Sequence, residues 1–202
     1  LCGIRYAKNE NPGANIWNEK GYFENYRIQI TNDNLLRLAG QDWFSNDKIT
    51  KEHDDIFNRS CEPLIQVIKE EFSEDLFFIK DPRICFVYPA YTEALNRMGI
   101  TPYFIWMNRD CEEVAKSLVR RGDAVRFGGM DWGISLCKKY KERFQKLIKD
   151  LDNPKVSKIS FNDLINDPIA VIKQIEKDFS LKFIFGNEEK IKEFIDPKLK
   201  HF

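Results

Sequence analysis

Between Pro102 and Glu113 an apolar run passes directly into a helix start, the strand–helix junction from which α/β folds are built. Tyr103-Phe104-Ile105-Trp106-Met107 reads as a strand, Arg109 follows two residues later, and Asp110 stands where it caps a helix, with Glu113 at the capping-box spacing. The helix continues through Val114, Ala115 and Leu118 and ends near Gly122, after Arg120 and Arg121. Phe77-Phe78-Ile79-Lys80-Asp81-Pro82-Arg83 has the same form: a short buried strand ending in lysine, with Asp81 as N-cap and Pro82 as first helical residue, where its missing N–H costs nothing. Open α/β proteins bind phosphorylated ligands at the carboxyl edge of the sheet, because unpaired amides and the helix dipole favour an anion there. Lys80 is therefore expected as a fixed cation. The planar fork of Arg109 suits a bidentate grip on phosphate, and Ser117, two turns into the helix, adds a hydroxyl if that face turns inward.

The rest of the chain alternates in the same way. Residues 8–21 read as a surface loop, rich in Asn, Gly, Pro and Lys. Helices are expected over about 25–39, with Gly40 as the stop, and over about 60–72 and 131–150. A further helix, from Pro82 to Met98, should be kinked or divided by Pro89. Val156–Ser160 reads as a strand, Asp167-Pro168 as a helix start, and a last helix should begin near Asn187. Strands alternating with helices imply α/β architecture with a parallel sheet, here one domain over residues 1–202.

Thirty-two basic and thirty-two acidic residues balance to zero, which disfavours a nucleic-acid partner. No apolar run is long enough to span a bilayer, and no signal-like segment opens the chain. The five cysteines, Cys2, Cys61, Cys85, Cys111 and Cys137, show no C-x-x-C spacing, and their odd number argues against a closed disulfide framework. Reduced thiols in the cytoplasm are the expectation. Cys111 falls in a first helical turn beside Arg109, where a thiol pKa can fall, or it is simply a small packed side chain. His53 and His201, the only histidines, have no neighbours that suggest a metal.

A strand followed by arginine with a serine eight positions on, Arg109 to Ser117, resembles the 3′-phosphate-binding element of PAPS-dependent sulfotransferases (PAPS is 3′-phosphoadenosine 5′-phosphosulfate). Lys80-Asp81-Pro82-Arg83 resembles the lysine-containing strand end of several of their branches. Asn18 to Asn25, and Asn32-Asp33-Asn34-Leu35-Leu36 with Gly40 and Trp43, fit bacterial-type members. Ile159 to Leu164 with Asp167-Pro168 is similar to the family's tyrosine-glutamate-aspartate-leucine segment, except that Phe161 and Asn162 replace tyrosine and glutamate. The likeness covers roughly residues 1–180 in the family's order. The family opens with a strand and a phosphate-cradling loop, whereas this chain starts at Leu1-Cys2-Gly3-Ile4, like the tail of the helix after that loop, so an upstream segment is expected.

The resemblance implies a three-layer parallel sheet flanked by helices, similar to the P-loop nucleotide-binding fold. It also implies sulfuryl transfer from PAPS to a hydroxyl on a glycan, lipid or small molecule. Such chemistry needs positioned reactants, cations for the growing charge and a base for the acceptor's proton, and it needs no metal. The resemblance makes Lys80 the cation near the sulfuryl group and Glu24 the general base, with Arg109 and Ser117 on the 3′-phosphate and Arg83 assisting. Each residue also has a plain structural reading: a solvated lysine, a glutamate complementing a helix dipole, a salt-bridged arginine. Tyr22, Phe23 and Trp43 either wall an acceptor or adenine site or belong to the core. Arg120, Arg121 and Arg126 beside Gly128-Gly129 form a basic loop over an anion or a solvated helix end. A P-loop-type kinase or a non-catalytic binding protein on the same fold are the alternatives. An upstream G-x-x-x-x-G-K-[ST] would mark the kinase.

Overall fold

The computed structural model describes residues 10–11, 22–182 and 188–195. The readings for Leu1–Ile4, for most of the loop expected over 8–21, for His201 and for most of the stretch after Phe183 lie outside the described residues. In chain order the elements are β1 (Glu10–Asn11), β2 (Glu24–Asn25), α1 (Tyr26–Leu38), α2 (Lys51–Arg59), α3 (Glu62–Glu71), α4 (Ile84–Arg97), β3 (Tyr103–Asn108), α5 (Cys111–Arg120), α6 (Gly129–Asp150), β4 (Lys155–Ser160), α7 (Phe161–Asn166), α8 (Pro168–Phe179) and α9 (Glu188–Phe194). They form two compact units: described residues up to Thr101 with Lys139–Leu147, and Pro102–Lys138 with described residues from Ile148 onward. Among the described residues no helix is long and apolar enough to cross a membrane.

The first unit is a helical cluster. In α1, Ile28, Leu35 and Leu36 recur at helical spacing and are almost completely buried. They meet the apolar stripe of α3, Leu64, Ile65 and Ile68, and the kinked α4 with Phe86, Val87, Ala90 and Ala94. Gly40, at φ +65°, ends α1 in the left-handed conformation that glycine adopts without cost. The expected break in α4 is present: Val87 leaves helical geometry two residues before Pro89.

Helix α2 was not anticipated. Its only large apolar residues are Ile56 and Phe57, too few to mark a helical period, yet Phe57 is fully buried and α2 packs on α4. The strand expected over Phe77–Lys80 is also absent as a strand. That segment has a single bridge at Phe77, whose ring stacks on Phe72 at 4.8 Å, and Phe77, Phe78 and Ile79 are half-exposed. Asp81 precedes a turn at Pro82 and Arg83, so neither Asp81 nor Pro82 begins α4. Asp81 Oδ1 accepts the Arg83 N–H at 2.8 Å, as an N-cap would, but three residues before the helix starts.

The second unit carries the parallel pairing that the alternation implied. β3 lies beside β4 in register from Tyr103↔Lys155 to Asn108↔Ser160. Among the described residues this parallel sheet has two strands. Helix α8 covers β4, with the Phe179 ring 4.9 Å from Tyr103 and the buried Ser157 hydroxyl donating to Asp178 at 2.6 Å. Asp167 caps α8 by accepting the Ala170 N–H, as its sequence suggested.

Candidate functional site

Glu24 and Lys80, 56 positions apart in sequence, meet in the first unit. The chain around Glu24 is set by its neighbours. Asn25 caps α1 through the Ile28 N–H at 2.9 Å and donates its amide to the buried carboxylate of Glu71 at 2.9 Å, which also pairs with Arg27 at 3.1 Å. On the other side Phe23 sits at φ +53°, a conformation that costs a bulky L-residue about 1–3 kcal/mol. With that backbone, the Tyr22 carbonyl and the Glu24 carboxylate both reach the Lys80 ammonium: Nζ donates to the carbonyl at 3.0 Å and pairs with Glu24 Oε1.

Gln29, in the second turn of α1, donates to the other oxygen, Glu24 Oε2, so both carboxylate oxygens are engaged. Glu24 is buried while the lysine side chain is 41% exposed, so the pair is open to solvent from the lysine side. Glu24 belongs to β2, ahead of the helix, and not to the first turn of α1.

Arg83, placed in sequence near the donor, forks onto the buried Asp81 at 2.9 and 3.1 Å and onto Asp33 at 2.8 Å. Its guanidinium lies 6.0 Å from the Trp43 ring centroid. Burial raises the Asp81 carboxyl above its usual range, against the opposing pull of Arg83. The Asp81–Arg83–Asp33 cluster fixes the turn that carries Lys80.

The second unit holds Arg109. Because β3 and β4 end in register at Asn108↔Ser160, the next residues, Arg109 and Phe161, emerge side by side at the carboxyl edge of the sheet. The Arg109 guanidinium stacks 4.2 Å from the Phe161 ring centroid, and its Nε pairs with Glu113 at 3.2 Å. Burial lowers the Arg109 pKa from its ordinary value, and Glu113 counters that. Asp110 caps α5 by accepting the Glu112 and Glu113 amides at 2.8 and 3.2 Å. Ser117 is half-buried on α5, one turn beyond Glu113 and on the same helical face. Arg109, Glu113 and Ser117 therefore follow one line along the start of α5.

Past α5, Arg121 pairs with Asp123 at 2.7 Å, while Arg120 and Arg126 are exposed. Gly128 and Gly129, at φ +113° and +67°, turn the chain into α6, where Phe127 stacks on Trp132 at 5.1 Å.

The expectation of reduced thiols is corrected here: Cys111, the first residue of α5, is disulfide-bonded to Cys137 of α6. Cysteine count and spacing carried no trace of a pairing across 26 positions. Cys61 and Cys85 are free. One turn from the bridge the same two helices touch closely: a Cβ built on Gly133 would stand 2.8 Å from Ala115 Cβ and 2.9 Å from its Cα. Helix propensity favours Gly133→Ala by up to about 1 kcal/mol. Overpacking opposes it by about 1–3 kcal/mol. We expect the contact to win, so that Gly133→Ala lowers the thermal midpoint; a raised midpoint would show that the helices separate freely.

No family model matches the chain, and neither a curated protein nor a solved structure matches it. Sequence reasoning missed Gln29 and the Tyr22 carbonyl, whose roles arise only from tertiary contact. It noted Phe161 only as a departure from the family segment, although that ring is what Arg109 rests on.

Proposed function

We propose that the protein is a PAPS-dependent sulfotransferase, with its parallel strand pair forming part of a three-layer sheet of the P-loop nucleotide-binding kind. The observation that carries this reading is the meeting of Glu24 and Lys80, chosen separately from sequence as base and cation. In the resting pair the ammonium neutralises the carboxylate. A bound sulfuryl donor competes for Lys80, since charge accumulates on the bridging oxygen as the S–O bond breaks. The released carboxylate then accepts the acceptor hydroxyl's proton as the new S–O bond forms. Gln29 holds the second carboxylate oxygen during the exchange.

Arg109 and Ser117 take the 3′-phosphate, which suits a half-buried guanidinium at the carboxyl edge of a parallel pair. The acceptor is a hydroxyl of a glycan, lipid or small molecule, and the proposed setting is the cytoplasm. Titration calorimetry with PAP (the desulfated donor product) against ADP tests this reading. Tight binding of PAP with weak binding of ADP is expected. A preference for ADP would point to a kinase instead, and binding of neither nucleotide would remove the enzymatic reading.

A further inference from the structure

We propose that the Cys111–Cys137 bridge is a reversible redox latch that fixes the start of α5, and with it the Arg109–Ser117 face. The nucleotide part of this inference rests on the donor-site reading above. Three observations carry it. The bridge attaches at the first residue of α5, next to the capping Asp110 and two residues from Arg109. It is also one rung of a seam: Cys111 pairs with Cys137 and Ala115 meets Gly133, one turn along each helix in opposite senses, so α5 and α6 run antiparallel there with a covalent tie at one contact and a glycine notch at the next.

Finally, Cys111 is half-buried while Cys137 is buried, so Cys111 is the more exposed half of the bridge. In the cytoplasmic setting proposed above, on which this step rests, a disulfide is typically transient or redox-sensing rather than structural. Exchange proceeds by attack of a low-molecular-weight thiolate on Cys111 Sγ. The S–S bond breaks, Cys137 leaves as thiolate and takes up a proton, and a second thiolate resolves the mixed disulfide at Cys111. Two electrons pass to the protein, Cys137 takes one proton from solvent, Cys111 is left as the thiolate, and the two small thiols leave as their disulfide. The helix N-terminus stabilises the Cys111 thiolate that is released, which favours this resolution.

The experiment poises the whole protein in glutathione buffers of graded redox ratio. It maps the Cys111–Cys137 linked peptide by mass spectrometry, follows amide exchange over residues 109–117 and titrates PAP. Reduction is expected to remove the linked peptide, to speed exchange over 109–117 by about tenfold, and to weaken PAP binding several-fold. Cys137→Ser should show the fast exchange in every buffer, and Cys85→Ser should respond as the native chain does. Exchange that is indifferent to reduction overturns the latch, and so does a linked peptide that forms at no redox ratio. Exchange that responds in a protein binding no PAP in either state upholds the latch and rejects the donor site.

Discussion

Arg143→Ala is expected to lower the unfolding free energy by about 3–5 kcal/mol, the range for breaking a buried ion pair from one side. The side chain is 6% exposed and meets Asp54 at 2.6 and 3.3 Å. It also donates to the Phe86 carbonyl at 2.7 Å and lies 4.8 Å from the Tyr88 ring centroid. That carbonyl adjoins Val87, where α4 leaves helical geometry. The arginine therefore serves a backbone acceptor at the break as well as a carboxylate. Its removal leaves both without this donor in a protein interior, and Lys146, 3.3 Å from Asp54 but 44% exposed, replaces only part of the charge. Urea denaturation measures the loss. Combining Arg143→Met with Asp54→Asn should recover part of it, because the uncompensated carboxylate is then gone. A loss below about 1 kcal/mol, the level of a surface pair, would mean that water reaches Asp54.

On the sulfotransferase reading proposed above, Glu24→Gln should cut turnover of PAPS with a hydroxyl acceptor by about 10²–10⁴-fold, the usual contribution of a positioned general base, while PAP affinity stays within about threefold of the native value. Arg109→Ala should divide the effects the other way, weakening PAP binding by about 10–100-fold through loss of a charge-assisted hydrogen bond. The separation follows from where the residues sit. Glu24 is buried against Lys80 and Gln29, while Arg109 is held by Phe161 and Glu113 at the end of a parallel strand. Calorimetry and initial rates on the two variants decide the matter, and equal affinity losses would undo this division of roles.

The parts of this structure that were legible in the sequence are those governed by short-range rules. The Tyr103–Ser117 stretch could be read in advance because a strand, a capping aspartate and a helical stripe lie within fifteen positions. The kink at Pro89 follows from a missing N–H. Helix α2 escaped because its ordering comes from partners far along the chain: Phe57 packs into the core, and Asp54 waits for an arginine 89 positions later. The Phe77–Lys80 segment misled because four apolar-to-basic residues mimic a strand, whereas its end is held by the Tyr22 carbonyl and Glu24 and not by a neighbouring strand. Glu24 and Lys80 were each singled out from the sequence, but their contact was not, since no local period links positions 56 apart. The Cys111–Cys137 bridge was hidden for the same reason.

Phe23 bears on how this chain could change over generations. Its left-handed backbone aims a carbonyl and a carboxylate at one ammonium. Glycine would follow the same path without steric cost, and asparagine with little, whereas β-branched residues are all but barred from it. Selection for heat resistance alone would thus drift toward a smaller residue at this position and discard the aromatic ring beside Glu24. A lineage that keeps phenylalanine there keeps the ring at a local conformational cost that its surroundings must offset.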